Sequence, residues 1–171
     1  MEECFSSGVV PPISHRLTKD CAGALRYVFN RILIVCVGNV CRSPIAEFLL
    51  RDRLAGRSVQ VASAGFGALV GHPADRHATA LLNERGIDAS THRARQVEPA
   101  MLRDADLVLA MERRHMHAAA RLAPEASGKL FLLRRWLDAG DVPDPHLQSR
   151  QAFEHVYTLI ERGVASWLRY L

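Results

Sequence analysis

Lysine is nearly missing from this chain: of its 22 Lys and Arg residues, only Lys19 and Lys129 are lysines. The formal charge of +4, from 22 basic against 18 acidic residues, rests on scattered arginines. Arg113-Arg114 and Arg134-Arg135 are short pairs in mixed surroundings, whereas a nucleic-acid binder gathers its basic residues into a stripe, often with stacking aromatics. Aromatics are only 6% of the chain, so nucleic acid is not an expected partner, while small anionic ligands are favoured. Long apolar runs are missing too. No stretch approaches the ~18 residues of a membrane span, and Met1-Glu2-Glu3 onward lacks the basic and apolar regions of a signal peptide, so a cytoplasmic protein without membrane insertion is expected. Cysteine is sparse, at Cys4, Cys21, Cys36 and Cys41 with none beyond, which suits reduced thiols better than a disulfide framework. The G-x-G-x-x-G of dinucleotide sites and the Gly-Lys-Ser/Thr of a nucleotide P-loop are both lacking. A zinc site on Cys36 and Cys41 finds no Cys-x2-Cys or His pair to complete it and faces Arg42, so no metal or other cofactor is expected.

What is present is a length of 171 residues with 49% hydrophobic composition, enough for one globular domain. Residues 1–29 have no clear periodicity and read as a flexible N-terminal extension, carrying Cys4 and Cys21 as incidental thiols and allowing a short helix over 22–29. From residue 30 the pattern is regular. Ile32-Leu33-Ile34-Val35 reads as a buried strand, and Ala46, Leu49, Leu50 and Leu54 predict a helix from Pro44 to about Ala55. Val59 to Ala64 alternates like a strand and is followed by a glycine-rich loop. A helix is expected from about Ala74 to Arg85, capped by Gly86. Ala105–Met111 reads as a strand, Glu112–Leu122 as a helix and Lys129–Leu133 as a short strand. A proline-broken loop spans 140–149, and Phe153, Val156, Ile160, Val164, Trp167 and Leu171 mark a long amphipathic final helix with a core-facing stripe. Alternation of this kind predicts a doubly wound α/β fold, with a four-stranded parallel sheet and helices on both faces. Ligands in such folds bind at the carboxyl ends of the strands.

At the end of the first of these strands stands Cys36-Val37-Gly38-Asn39-Val40-Cys41-Arg42-Ser43-Pro44. Gly38 and Asn39 tolerate positive φ, and Pro44 suits a first helical turn. Backbone N–H groups converge where such a loop meets a helix start, which makes an anion cradle. Cys36 opens the loop and Arg42 closes it. Converging amides, the helix dipole and a guanidinium all favour a thiolate, so the Cys36 pKa is expected to be depressed. A thiolate at the base of an oxyanion cradle can attack phosphorus while Arg42 holds two phosphoryl oxygens, which points to phosphoryl transfer to sulfur.

Cys-x5-Arg followed by Ser-Pro-Ile-Ala-Glu resembles the signature of the low-molecular-weight protein tyrosine phosphatases. The resemblance continues through Ser63-Ala64-Gly65, His92-Arg93-Ala94-Arg95-Gln96, Met111-Glu112, Val142-Pro143-Asp144-Pro145 and Phe153-Glu154-His155-Val156-Tyr157, covering roughly residues 30 to 171. It is nearest to the bacterial branch associated with capsule and exopolysaccharide export, whose partners are tyrosine autokinases. It implies a phosphotyrosine phosphatase domain over 30–171, acting as a monomer or weak dimer, with Cys36 as nucleophile, Arg42 as phosphate clamp and Asp144 as general acid and then base. Ser43 would stabilise the thiolate, Asn39 would hold the strained loop and His92 would support it from behind. Val37, Gly38, Val40 and Cys41 complete the phosphate loop, and Cys41 is placed to trap an oxidised Cys36 as a reversible disulfide. Leu69 and His146 fall at the walls of the aryl pocket. His146 is a departure, because relatives usually carry an aromatic there, and histidine offers less stacking area. His115 and His117 are expected on the surface. Arsenate reductases share the scaffold, but they need downstream cysteines that this chain lacks.

Overall fold

A computed structural model describes residues 17–19, 25–27 and 29–171. Strands β1 (Leu17–Lys19) and β2 (Leu25–Tyr27) form an antiparallel pair of their own. The helix expected over 22–29 is therefore replaced by a strand at Leu25–Tyr27, and Cys4 and Cys21 lie outside the described residues.

The main sheet consists of β3 (Arg31–Cys36), β4 (Gln60–Gly65), β5 (Leu107–Ala110) and β6 (Leu130–Leu132). Its order is β4-β3-β5-β6 and its pairings are all parallel, as the alternating pattern implied. Helices α1 (Arg42–Arg53), α2 (Arg76–Asn83) and α5 (Arg150–Trp167) pack together on one side. Helices α3 (Pro99–Asp104) and α4 (Arg113–Leu122), with a 3-10 turn over Pro124–Lys129, lie against the other. The short α3 and the 3-10 turn carry too few periodic residues to stand out in the sequence.

After its exposed first residue, Arg31, β3 is apolar because both its faces are covered. Ile32 and Ile34 join a core with Ile45, Leu49, Phe153 and Ile160, whereas Leu33 and Val35 join a second with Leu102, Val108 and Ala119. The chain leaves β3 for β4 on one side and crosses to β5 on the other, so its winding reverses at β3. The crevice beyond the carboxyl end of β3 is thus the natural binding place. β4 closes it from one side, and Gly65 allows the approach: a Cβ at this position would lie 2.1 Å from the Val37 carbonyl oxygen.

Candidate active site

Cys36 ends β3 and Arg42 begins α1, so residues 37–41 form the whole turn between strand and helix. Asn39 adopts φ 55°, a left-handed conformation that Asn tolerates better than most residues. Its side chain organises what lies beneath the loop. Oδ1 accepts the Arg95 backbone N–H at 2.8 Å, which fixes the amide orientation. Nδ2 then donates to Ser43 Oγ at 2.9 Å and to Ser63 Oγ at 2.8 Å. Ser63 in turn donates its hydroxyl hydrogen bond to the Glu47 carboxylate. With Ser43 Oγ accepting from Asn39, its proton is left for Cys36 Sγ, 2.9 Å away. The Asn39 backbone N–H approaches the same sulfur at 3.3 Å. His92, buried, donates from Nε2 to the Asn39 carbonyl at 2.7 Å. Asn39 and Ser43 are themselves fully buried, so they act on the loop and the sulfur from behind.

Burial pushes the Cys36 thiol up; the Ser43 hydroxyl, the Arg42 charge and the backbone N–H groups of Ser43 and Asn39 pull it down. Burial prevails, which corrects the expected depressed pKa: the backbone N–H groups and the guanidinium foreseen from the sequence act in the expected direction, but Cys36 is only 2% exposed. The guanidinium that would favour the thiolate is also shared. Arg42, 1% exposed, pairs with Glu112 and with Asp144 at 2.5 Å, and its Nη1 donates to the Val142 carbonyl at 3.0 Å.

That fork ties together α1, the turn between β5 and α4, and the proline-rich loop. It brings Asp144 to Arg42 across 102 positions of sequence. Burial alone would raise the Glu112 carboxyl, but hydrogen bonds from Arg114 and Arg42 hold it below the ordinary value. Cys36, Val37, Gly38, Val40, Cys41 and Arg42 line a cleft of about 200 Å³, walled by Gly67 and Leu69 on one side and by Asp144 and His146 on the other. His146 Nδ1 stands 3.8 Å from Cys41 Sγ. Cys36 and Cys41 are both free thiols.

Several contributors escaped the sequence reading. Glu112 stands two residues past β5, at the carboxyl end of the strand beside β3, where the strand-end rule could have found it. Glu47 is a carboxylate on the buried face of α1, four residues after Ser43, and such a group needs a polar partner. Ser63 and Arg95 lie in motifs that gave no spacing signal of their own. His115 was expected on the surface and is instead 3% exposed, stacked on Phe66 with ring centroids 6.1 Å apart and with neither ring nitrogen hydrogen-bonded. Its place on the inward face of α4 buries it, while His117 on the same helix is exposed.

A parallel α/β sheet bearing a strand-end loop with a cysteine, an arginine and a facing aspartate defines a cysteine-dependent phosphatase. The sequence profile described as low molecular weight phosphotyrosine protein phosphatase matches residues 31–171, and the chain belongs to that family. It is 46% identical over 143 residues to the low molecular weight protein-tyrosine-phosphatase Etp of Escherichia coli K12, covering 84% of this chain and 95% of that one. It is 47% identical over 144 residues to Wzb of Salmonella typhimurium, again covering 84% and 95%. Among solved structures, Vibrio vulnificus Wzb in complex with benzylphosphonate matches with a TM-score of 0.80 and 42% identity, over 84% of this chain and 100% of that one. The protein is thus a protein-tyrosine phosphatase and not an arsenate reductase.

Proposed function

We propose that the protein hydrolyses phosphotyrosine through a phosphocysteine on Cys36, and that its substrate is a tyrosine autokinase controlling exopolysaccharide or capsule synthesis. The observation that carries the chemistry is the meeting of Cys36, Arg42 and Asp144 in one cleft. A phosphate entering it competes with Asp144 and Glu112 for the Arg42 fork, bringing the clamp onto two phosphoryl oxygens. The Cys36 thiol gives up its proton and the Asp144 carboxylate, displaced from Arg42 by the phosphate, takes one up; the thiolate attacks phosphorus, and the S–P bond forms as the P–O bond to tyrosine breaks. Asp144 gives its proton to the departing phenolic oxygen. It then takes a proton from water, whose oxygen attacks phosphorus; the S–P bond breaks and phosphate leaves. The electron pair returns to sulfur, where the Ser43 hydroxyl and the Asn39 N–H receive it.

The autokinase assignment rests on the resemblance to the capsule-associated branch, and we place the enzyme in the cytoplasm as a monomer or weak dimer. No helix among the described residues is long and apolar enough to cross a membrane. Hydrolysis of p-nitrophenyl phosphate without added metal tests the reaction. Cys36→Ser should abolish it, and Asp144→Asn should slow poor leaving groups far more than good ones; equal loss for both removes the acid role. A tyrosine-phosphorylated autokinase domain left untouched by the active enzyme would overturn the substrate.

A further inference from the structure

We propose that Cys41, Asp75 and His146 form an inhibitory site for a thiophilic divalent cation, zinc above all, at the mouth of the active-site cleft. Cys41 Sγ, a carboxylate oxygen of Asp75 and a ring nitrogen of His146 all lie within 4.8 Å of one another. Two ligand atoms on a tetrahedral zinc stand about 3.5 Å apart, close to the 3.8 Å between Cys41 Sγ and His146 Nδ1.

The fold builds this arrangement from three distant segments. The Asp75 backbone N–H donates to the Val40 carbonyl at 2.7 Å, holding Asp75 beside the loop residue before Cys41. Oδ1 of Asp75 caps α2 by accepting the His77 N–H at 2.8 Å, which leaves its other oxygen free to ligate. The His146 N–H donates to Asp144 Oδ1 at 3.2 Å, which ties its backbone to the acid loop while the exposed ring can turn. Thiolate, imidazole and carboxylate together are a zinc donor set, with water able to fill the fourth position. The positive charge of Arg42 does not bar the ion, because Glu112 and Asp144 neutralise that guanidinium from two sides.

Binding breaks the Cys41 S–H bond, releases the proton to solvent and forms a sulfur–metal bond, with no change of oxidation state. Cys41 and His146 both line the cleft that holds Cys36 and Asp144, so an ion between them blocks substrate entry. His146 is one of the three ligands, which gives the residue standing in place of the usual aromatic a chemistry of its own.

The test uses Cys36→Ser, which removes the competing active-site thiol and makes the measurement independent of turnover. Titrated with Co²⁺ as a spectroscopic stand-in for zinc, this variant should bind one ion with a thiolate-to-cobalt charge-transfer band. Adding Asp75→Asn, which preserves the helix cap, or His146→Ala should weaken binding about tenfold or more. In the background with Cys36 intact, Asp75→Asn should keep its activity on p-nitrophenyl phosphate and lose sensitivity to zinc by a similar factor. No charge-transfer band in Cys36→Ser, or affinity unchanged by both substitutions, overturns the site. An inactive wild type with intact cobalt binding would instead refute the phosphatase mechanism alone.

Discussion

Asn39→Ala is the most informative single perturbation, because one side chain holds both the loop and the nucleophile's partner. The substitution removes three hydrogen bonds, to Ser43, Ser63 and the Arg95 N–H. At about 1 kcal/mol net for each, the loss is about 3 kcal/mol. Alanine must also keep φ 55°, at a further cost of about 1 kcal/mol. A total near 4 kcal/mol in a domain of this size lowers Tm by about 8–16 °C. Freed from Asn39, the Ser43 hydroxyl can turn away from the sulfur, and misorientation of this order costs about a hundredfold in kcat.

Differential scanning calorimetry and steady-state hydrolysis of p-nitrophenyl phosphate measure the two effects. Asn39→Gly separates the two contributions to stability, since glycine accepts the left-handed backbone and should recover about 1 kcal/mol while kcat stays low. The reasoning fails if Asn39→Ala melts within about 2 °C of the wild type, less than 1 kcal/mol here. It fails equally if kcat survives.

Gly65→Ala should be among the most damaging small substitutions, because its methyl would stand 2.1 Å from a backbone oxygen of the catalytic loop; thermal melting and phosphate binding should both suffer, and a wild-type Kd for phosphate would contradict it. Glu112→Gln should leave the fold intact and free Arg42 of one carboxylate that a phosphate must displace, lowering KM for aryl phosphates; an unchanged KM would show that Glu112 does not compete for the fork. Burial, with the Arg42 and Arg114 charges, pushes the His115 pKa down to about 4, against Glu112 and Asp144, which raise it. The unfolded chain then binds a proton that the folded one refuses, so stability falls as pH drops from about 6.5 toward 4 by up to about 3 kcal/mol. Urea midpoints should fall further between pH 6.5 and 4 for wild type than for His115→Leu, which has no group to titrate there; equal falls would refute the assignment. Removing residues 1–28 should leave activity intact, since the family match begins at residue 31; an inactive but folded truncation would show that the extension contributes to the site.

Legibility in the sequence followed the range of the interaction. β3 and α5 were readable because their apolar residues repeat at the period of the element that buries them. The expected β3, Ile32–Val35, gained one residue at each end in the structure, while the α5 stripe continued into residues 168–171, beyond the helix. The helix expected over 22–29 failed because a short stretch of mixed residues carries no period strong enough to choose, and strand pairing decided Leu25–Tyr27 instead. His115 failed for a related reason: on a helix with four polar residues in its first five, one histidine on the inward face does not announce its direction.

The site divides along the same line. Cys36, Asn39, Arg42 and Ser43 lie within eight consecutive residues, so strand-end geometry alone could argue their chemistry. Asp144 could not be joined to them by spacing, and only the resemblance connected the two segments. Glu112 shows what joins them physically. It grips the Arg42 fork from just beyond the end of β5 while Asp144 grips it from the acid loop, so a phosphate entering the cleft must displace two carboxylates from the clamp. Arg42 also lowers the Cys36 pKa, but burial of the thiol outweighs it. One guanidinium thus faces both the carboxylates and the Cys36 thiol, and that meeting follows from which strands are neighbours rather than from any motif.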